Sequence, residues 1–163
     1  MAPLAARFAS AAAQARRAPI RVTAIERELG TRYTAQTLRA LLARYPRRRF
    51  VWLMGADNLA QFHRWKSWRT IARMVPIAVI ARPGYDARAF ASPAMAWLGR
   101  FRRSVASLNH RAAWSAPALV ILRFDPDPRS ATAIRLADPD WASRHARAAL
   151  RDRLTLRPIE PNA

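Results

Sequence analysis

Two short apolar runs constrain this chain more than any other feature. Residues 50–54 (Phe-Val-Trp-Leu-Met) and 77–81 (Ile-Ala-Val-Ile-Ala) are each the length of a buried strand. Gly55 stops the first and Arg82-Pro83-Gly84 stops the second. The intervening segment predicts a helix over residues 65–74. A parallel strand pair needs a crossover, usually helical, and its continuous apolar runs are those of strands buried on both faces. The pattern therefore predicts an α/β fold with a parallel sheet covered by helices on both faces.

The flanking segments extend that alternation. Residues 3–17 read as an Ala-rich amphipathic helix, 20–25 as a strand, and 26–32 as a polar loop containing Gly30. Thr34 reads as the N-cap of a helix over 35–45 that Pro46 ends. Residues 86–103 are helical, with Pro93 breaking or opening part of the helix; 104–117 are irregular, and 118–124 form another strand. A turn through Asp125-Pro126-Asp127-Pro128 leads to a short helix opening near Ser130. One domain is expected over residues 1–154, followed by a frayed, proline-containing tail over 155–163.

Composition excludes several classes. With 163 residues and 52% hydrophobic content the chain can bury a core, yet no run approaches eighteen uninterrupted apolar residues. No membrane partner and a cytoplasmic location are expected. Arg7 and Gln14 interrupt the early Ala-rich stretch, which reads as a helix and not a targeting peptide. The absence of cysteine rules out disulfides, thiolate metal sites and a cysteine nucleophile. The net charge of +19 comes almost wholly from arginine, Lys66 being the one lysine. These arginines are scattered through every segment and form no legible nucleic-acid module, so no specific nucleic-acid partner is expected. A basic surface would still steer anionic nucleotides inward.

Four places carry chemistry. Gly55-Ala56-Asp57 lies at the carboxyl end of a strand, where open α/β sheets bind nucleotides. A carboxylate there can accept from both ribose hydroxyls, or Asp57 can simply cap the next helix. Trp65 offers a flat face for an aromatic ring, whereas Trp68, three residues on, packs on the sheet. Thr34 stands at a helix start, whose free N–H groups suit an anion. Ser130-Ala131-Thr132-Ala133-Ile134-Arg135 would turn hydroxyls and helix N-terminal amides toward phosphates, with Arg135 adding charge. Its plainer reading is a serine-capped surface helix. His63, His110 and His145 lie far apart without metal-ligand spacing and read as surface or packing residues, although His63 neighbours Trp65. No metal site is expected.

Taken in order, Tyr33-Thr34-Ala-Gln-Thr37, Gly55-Ala-Asp57, Phe62-His-Arg-Trp65, Arg82-Pro-Gly84 and the segment from Ser130 to Arg135 resemble nicotinate-nucleotide adenylyltransferases. The resemblance implies a Rossmann-like nucleotidyltransferase fold and transfer of an adenylyl group from ATP to nicotinate mononucleotide, in NAD biosynthesis. It implies that Thr34, Asp57 and Trp65 bind the mononucleotide. Gly55, Asp57, Ser130, Thr132 and Arg135 would bind ATP, with Arg135 catalytic and Mg²⁺ accompanying the nucleotide. The family's glycine-rich loop and its His-x-Gly-His pair have no counterpart, the first histidine being His63. An N-terminal βαβ portion of roughly 40–60 residues is thus expected to be missing, and the chain is expected to have little activity. The alternatives are another adenylyl- or cytidylyltransferase of the same fold, or a non-catalytic basic protein that binds nucleotide or RNA.

Overall fold

The computed structural model describes residues 2–81, 84, 86–109, 115–124, 133, 136–145 and 150–160. The apolar runs do become strands: β1 (Trp52–Gly55), β2 (Ile77–Ile80) and β3 (Leu119–Leu122). They form a wholly parallel sheet in the order β1-β2-β3, with Trp52 opposite Ile77 and Ile77 opposite Leu119. The β1-to-β2 crossover consists of α4 (Ala56–Gln61), a 3₁₀ turn (Phe62–Arg64) and α5 (Trp68–Met74). The β2-to-β3 crossover carries α6 (Asp86–Phe90) and α7 (Pro93–Leu98). Pro93 opens a second helix here and does not kink one long one. Its φ suits the first helical position, and the Ser92 hydroxyl accepts from the Met95 N–H at 3.2 Å.

Burial follows from sheet position. β2 and β3 bury consecutive residues, Ile77-Ala78-Val79 and Leu119-Val120-Ile121, as strands covered on both faces must. Among the described residues β1 pairs on one side only, and Leu53 is 56% exposed, so that run is less enclosed than its composition predicts. Phe62, Leu59, Ile71, Ile77, Leu98 and Leu119 form the fully buried heart of this core. Each contributes about 1.5–3 kcal/mol by leaving water.

These elements, with α3 (Thr34–Arg44), belong to one of two compact units, spanning Arg32–Pro126. The other comprises Met1–Thr31 with Asp127–Ala163. In it α1 (Leu4–Gln14) buries Ala5, Ala6, Phe8 and Ala9 and packs against α8 (Trp141–His145). A small antiparallel pair, β4 (Leu150–Arg151) with β5 (Pro158–Ile159), places Ile159 against Ala5 and Phe8. Pro158 and Ile159, expected in a frayed tail, are therefore held by pairing and burial. The strand expected over 20–25 is absent among the described residues. A strand exists only by its ladder partner, and this segment bonds to a side chain instead. Asp152, fully buried, accepts from the Thr23 hydroxyl and the Ala24 N–H, both at 2.7 Å. Ile25 then begins α2 (Ile25–Glu28).

Candidate active site

The β1–α4 junction places Gly55 and Asp57 as the sequence predicts. Gly55 ends β1 opposite Ile80, and its backbone is extended (φ −77°, ψ 161°), a conformation open to any residue. Asp57, half-buried, occupies the first turn of α4, where a carboxylate opposes the helix dipole favourably. Gly55, and not Asp57, takes the N-cap of α4, so Asp57 favours the helix through its charge in the first turn and not as the capping residue.

Thr34 and Trp65, thirty-one positions apart in sequence, meet. With Arg32, Tyr33, Lys66 and Ile71 they line one pocket of about 180 Å³. Whole-ligand pockets hold about 300–1,000 Å³, so this one suits a single flat ring and its substituent. Tyr33, not Thr34, takes the capping position of α3. Its backbone is extended (φ −112°, ψ 139°), and its carbonyl accepts the Gln36 N–H at 2.8 Å. Thr34 is therefore the first helical residue, among the amides that helix geometry leaves without intrahelical partners.

Trp65 is held edge-on by two rings. Phe62 lies 5.4 Å away at 71° and Trp52 6.2 Å away at 80°. Both are favourable T-shaped contacts. Trp68 is a packing residue as expected, but its ring neighbours are Phe62 and Trp97 of the crossovers and not strand residues. Trp65 does not begin α5, which starts at Trp68 after a turn closed by Ser67. Ser67 adopts the left-handed conformation (φ 58°, ψ 35°), uncommon for a residue with a side chain. This turn presents Trp65 and Lys66 side by side at the pocket wall. Trp52 Nε1 and His63 Nδ1 are buried without a hydrogen-bond partner among the described residues. Such orphaned atoms call for an explanation, a ligand or a water among them.

Arg32, Lys66 and Ile71 are the pocket residues that lie outside the motifs. Lys66 Nζ lies 4.5 Å from the Tyr33 ring centroid, and the Arg32 guanidinium carbon 5.9 Å from it. The lining includes two cations and no carboxylate. A larger groove of about 820 Å³ lies within the other unit, lined by Phe8, several α1 alanines, Arg16, Arg21, His145 and Arg151. None of the predicted site residues borders it, so the smaller pocket is the better candidate. His63 lines neither pocket, and His110 lies outside the described residues. So do Ser130, Thr132 and Arg135, together with Arg82 and Pro83. Among the described residues no cluster of three His, Cys, Asp or Glu side chains could hold a metal ion, and no helix is long and apolar enough to cross a membrane.

The model of the cytidylyltransferase-like family matches residues 7–137. A protein of Erythrobacter litoralis named probable nicotinate-nucleotide adenylyltransferase is 70% identical over 154 residues, covering 94% of this chain and 70% of the relative. The chain belongs to the cytidylyltransferase-like family, and within it to the nicotinate-nucleotide adenylyltransferases. Two further relatives carry the same name. One, from Cereibacter sphaeroides, is 53% identical across 82% of this chain and 71% of its own length. Another, from Bradyrhizobium, is 46% identical across 86% and 73%. The pocket at Trp65 and the strand end at Gly55 both fall within the residues that the family model matches.

Proposed function

We propose that this chain transfers the adenylyl group of ATP to nicotinate mononucleotide, forming nicotinate adenine dinucleotide and releasing pyrophosphate. The observation that carries the reading is the convergence of Thr34 and Trp65 on one ring-sized pocket, in a chain of this family. The pyridine ring stacks on Trp65, which T-shaped contacts with Phe62 and Trp52 hold in place, so little side-chain freedom is lost on binding. Thr34 and the first-turn amides of α3 offer donors to the ring's substituent. Gly55 and Asp57, at the carboxyl end of β1, serve the ribose region. Ser130, Thr132 and Arg135 bind the ATP phosphates, Arg135 opposing the charge that builds on the leaving pyrophosphate.

The reaction needs no covalent enzyme intermediate. The phosphate of the mononucleotide attacks the α-phosphorus of ATP, a P–O bond forms there, and the bond to pyrophosphate breaks opposite. Catalysis is then positioning and electrostatic stabilisation. Mg²⁺, where bound, would be held by the ATP phosphates and offset their charge, since among the described residues no carboxylate cluster would cage it.

The test is pyrophosphate release from ATP and nicotinate mononucleotide. It is measured on these 163 residues and on the chain carried upstream in its reading frame. Turnover by either form that Trp65→Ala reduces at least about tenfold supports the reading, one stacked ring being worth roughly 1–3 kcal/mol. If neither form turns over, or Trp65→Ala is without effect, the assignment fails.

A further inference from the structure

The pocket wall carries a charge to which none of the family motifs assigns a task. Lys66 follows Trp65 directly in the chain, and the Ser67 turn sets the two together. It is the single lysine here; the other 28 of the 29 Lys and Arg residues are arginine. A compact ammonium on a flexible stem suits a pocket of about 180 Å³ better than a broad guanidinium. Its present partner is the face of Tyr33, at 4.5 Å. An exposed cation–π contact of that kind is weaker than a charge-assisted hydrogen bond to a carboxylate, so an incoming acid can recruit the ammonium.

We propose that Lys66 is the acid-selecting residue of this pocket. Its ammonium pairs with the carboxylate on the bound pyridine ring and sets the preference for nicotinate mononucleotide over the uncharged nicotinamide mononucleotide. The proposal rests on reading the pocket as the ring subsite. Trp65 stacks equally on either ring, because stacking senses the flat face and not the substituent's charge. Thr34 and the first-turn amides of α3 can bond an oxygen of either substituent, so a full positive charge near the ring's edge is what favours the acid over the amide. Of the two cations in the lining, Lys66 adjoins the stacking residue in the chain, while Arg32 adjoins Tyr33 and lies farther from its ring, 5.9 Å against 4.5 Å.

Calorimetric titration of both mononucleotides into the unaltered chain, Lys66→Gln, Lys66→Arg and Trp65→Ala tests this. The unaltered chain is expected to bind the acid more tightly than the amide. Lys66→Gln should weaken acid binding about tenfold or more and leave amide binding within about twofold, as loss of a hydrogen bond to a charged group predicts. Lys66→Arg should restore most of the difference. Equal weakening of both ligands by Lys66→Gln would reassign Lys66 to holding Tyr33 and overturn the proposal. Undiminished preference in Lys66→Gln would overturn it too, while leaving the ring subsite intact. If the unaltered chain binds neither mononucleotide, or Trp65→Ala binds both as before, the ring subsite itself is wrong and the role of Lys66 falls with it.

Discussion

Asp152 shows how one side chain can replace a strand pairing. Burial raises its pKa, but hydrogen bonds from the Ala24 N–H, the Thr23 hydroxyl, and the Leu154 and Thr155 N–H groups outweigh that, leaving the carboxyl below its ordinary value of 3.8. A carboxyl whose folded pKa is depressed contributes stability that is present above the unfolded pKa and lost as pH falls through the folded one. Asp152→Asn is expected to cost about 1.5–3 kcal/mol at neutral pH and to expose the Ala24 and Leu154 amides to faster hydrogen exchange. The gap between parent and variant should hold steady above about pH 5 and close as pH drops further. A gap that widened in acid would contradict this sign. Nothing in the residues around position 152 announces the role, because its partners Thr23 and Ala24 lie far off in sequence. Thr34 and Trp65 were legible because each stands in a motif of fixed spacing. Lys66 was hidden by its own chemistry, one more cation in a chain of net charge +19, and only its being lysine could have marked it.

At the scale of elements, apolar runs stopped by Gly or Pro translated directly into β1, β2 and β3, since burial alone decides such strands. Residues 20–25 failed that translation because a ladder needs a partner that local sequence does not report. Pro93 could be read as breaking or opening a helix, and the Ser92 cap decided for opening. The connection from α4 to α5 is where packing and the proposed ring subsite meet. Phe62, fully buried in its 3₁₀ turn, touches both Trp65 and Trp68. Phe62→Ala is expected to cost about 3–5 kcal/mol, enough to unfold a marginal domain. Phe62→Leu keeps most of the volume and should cost less than about 1.5 kcal/mol. Yet it removes the ring edge that fixes Trp65, so mononucleotide affinity should fall more than thermal stability does. Unchanged affinity in a folded Phe62→Leu variant would show that Trp65 is positioned by Trp52 and the backbone alone.

For the molecule as a whole, the question is what the excess of positive charge does. A net charge of +19 creates a field that attracts any polyanion, and that attraction alone could mimic specific binding. Salt separates the two. Binding of a nucleic-acid strand releases one condensed counterion for most phosphates neutralised, so its affinity should fall steeply and log-linearly with salt, whatever the bases. A mononucleotide in the Trp65 pocket neutralises few charges and keeps its stacking, which salt does not screen. Its association rate should drop as the Debye length shrinks from about 30 Å at 0.01 M to about 8 Å at 0.15 M, because steering acts over that distance. Its dissociation rate should stay nearly constant, since contacts within the pocket are closer than any of these lengths. Stopped-flow tryptophan fluorescence across that salt range, with nicotinate mononucleotide and with a short single-stranded RNA, reads both rates. A mononucleotide whose dissociation accelerates with salt as steeply as the RNA's would be held by the general field. The pocket would then contribute nothing beyond its share of a basic surface.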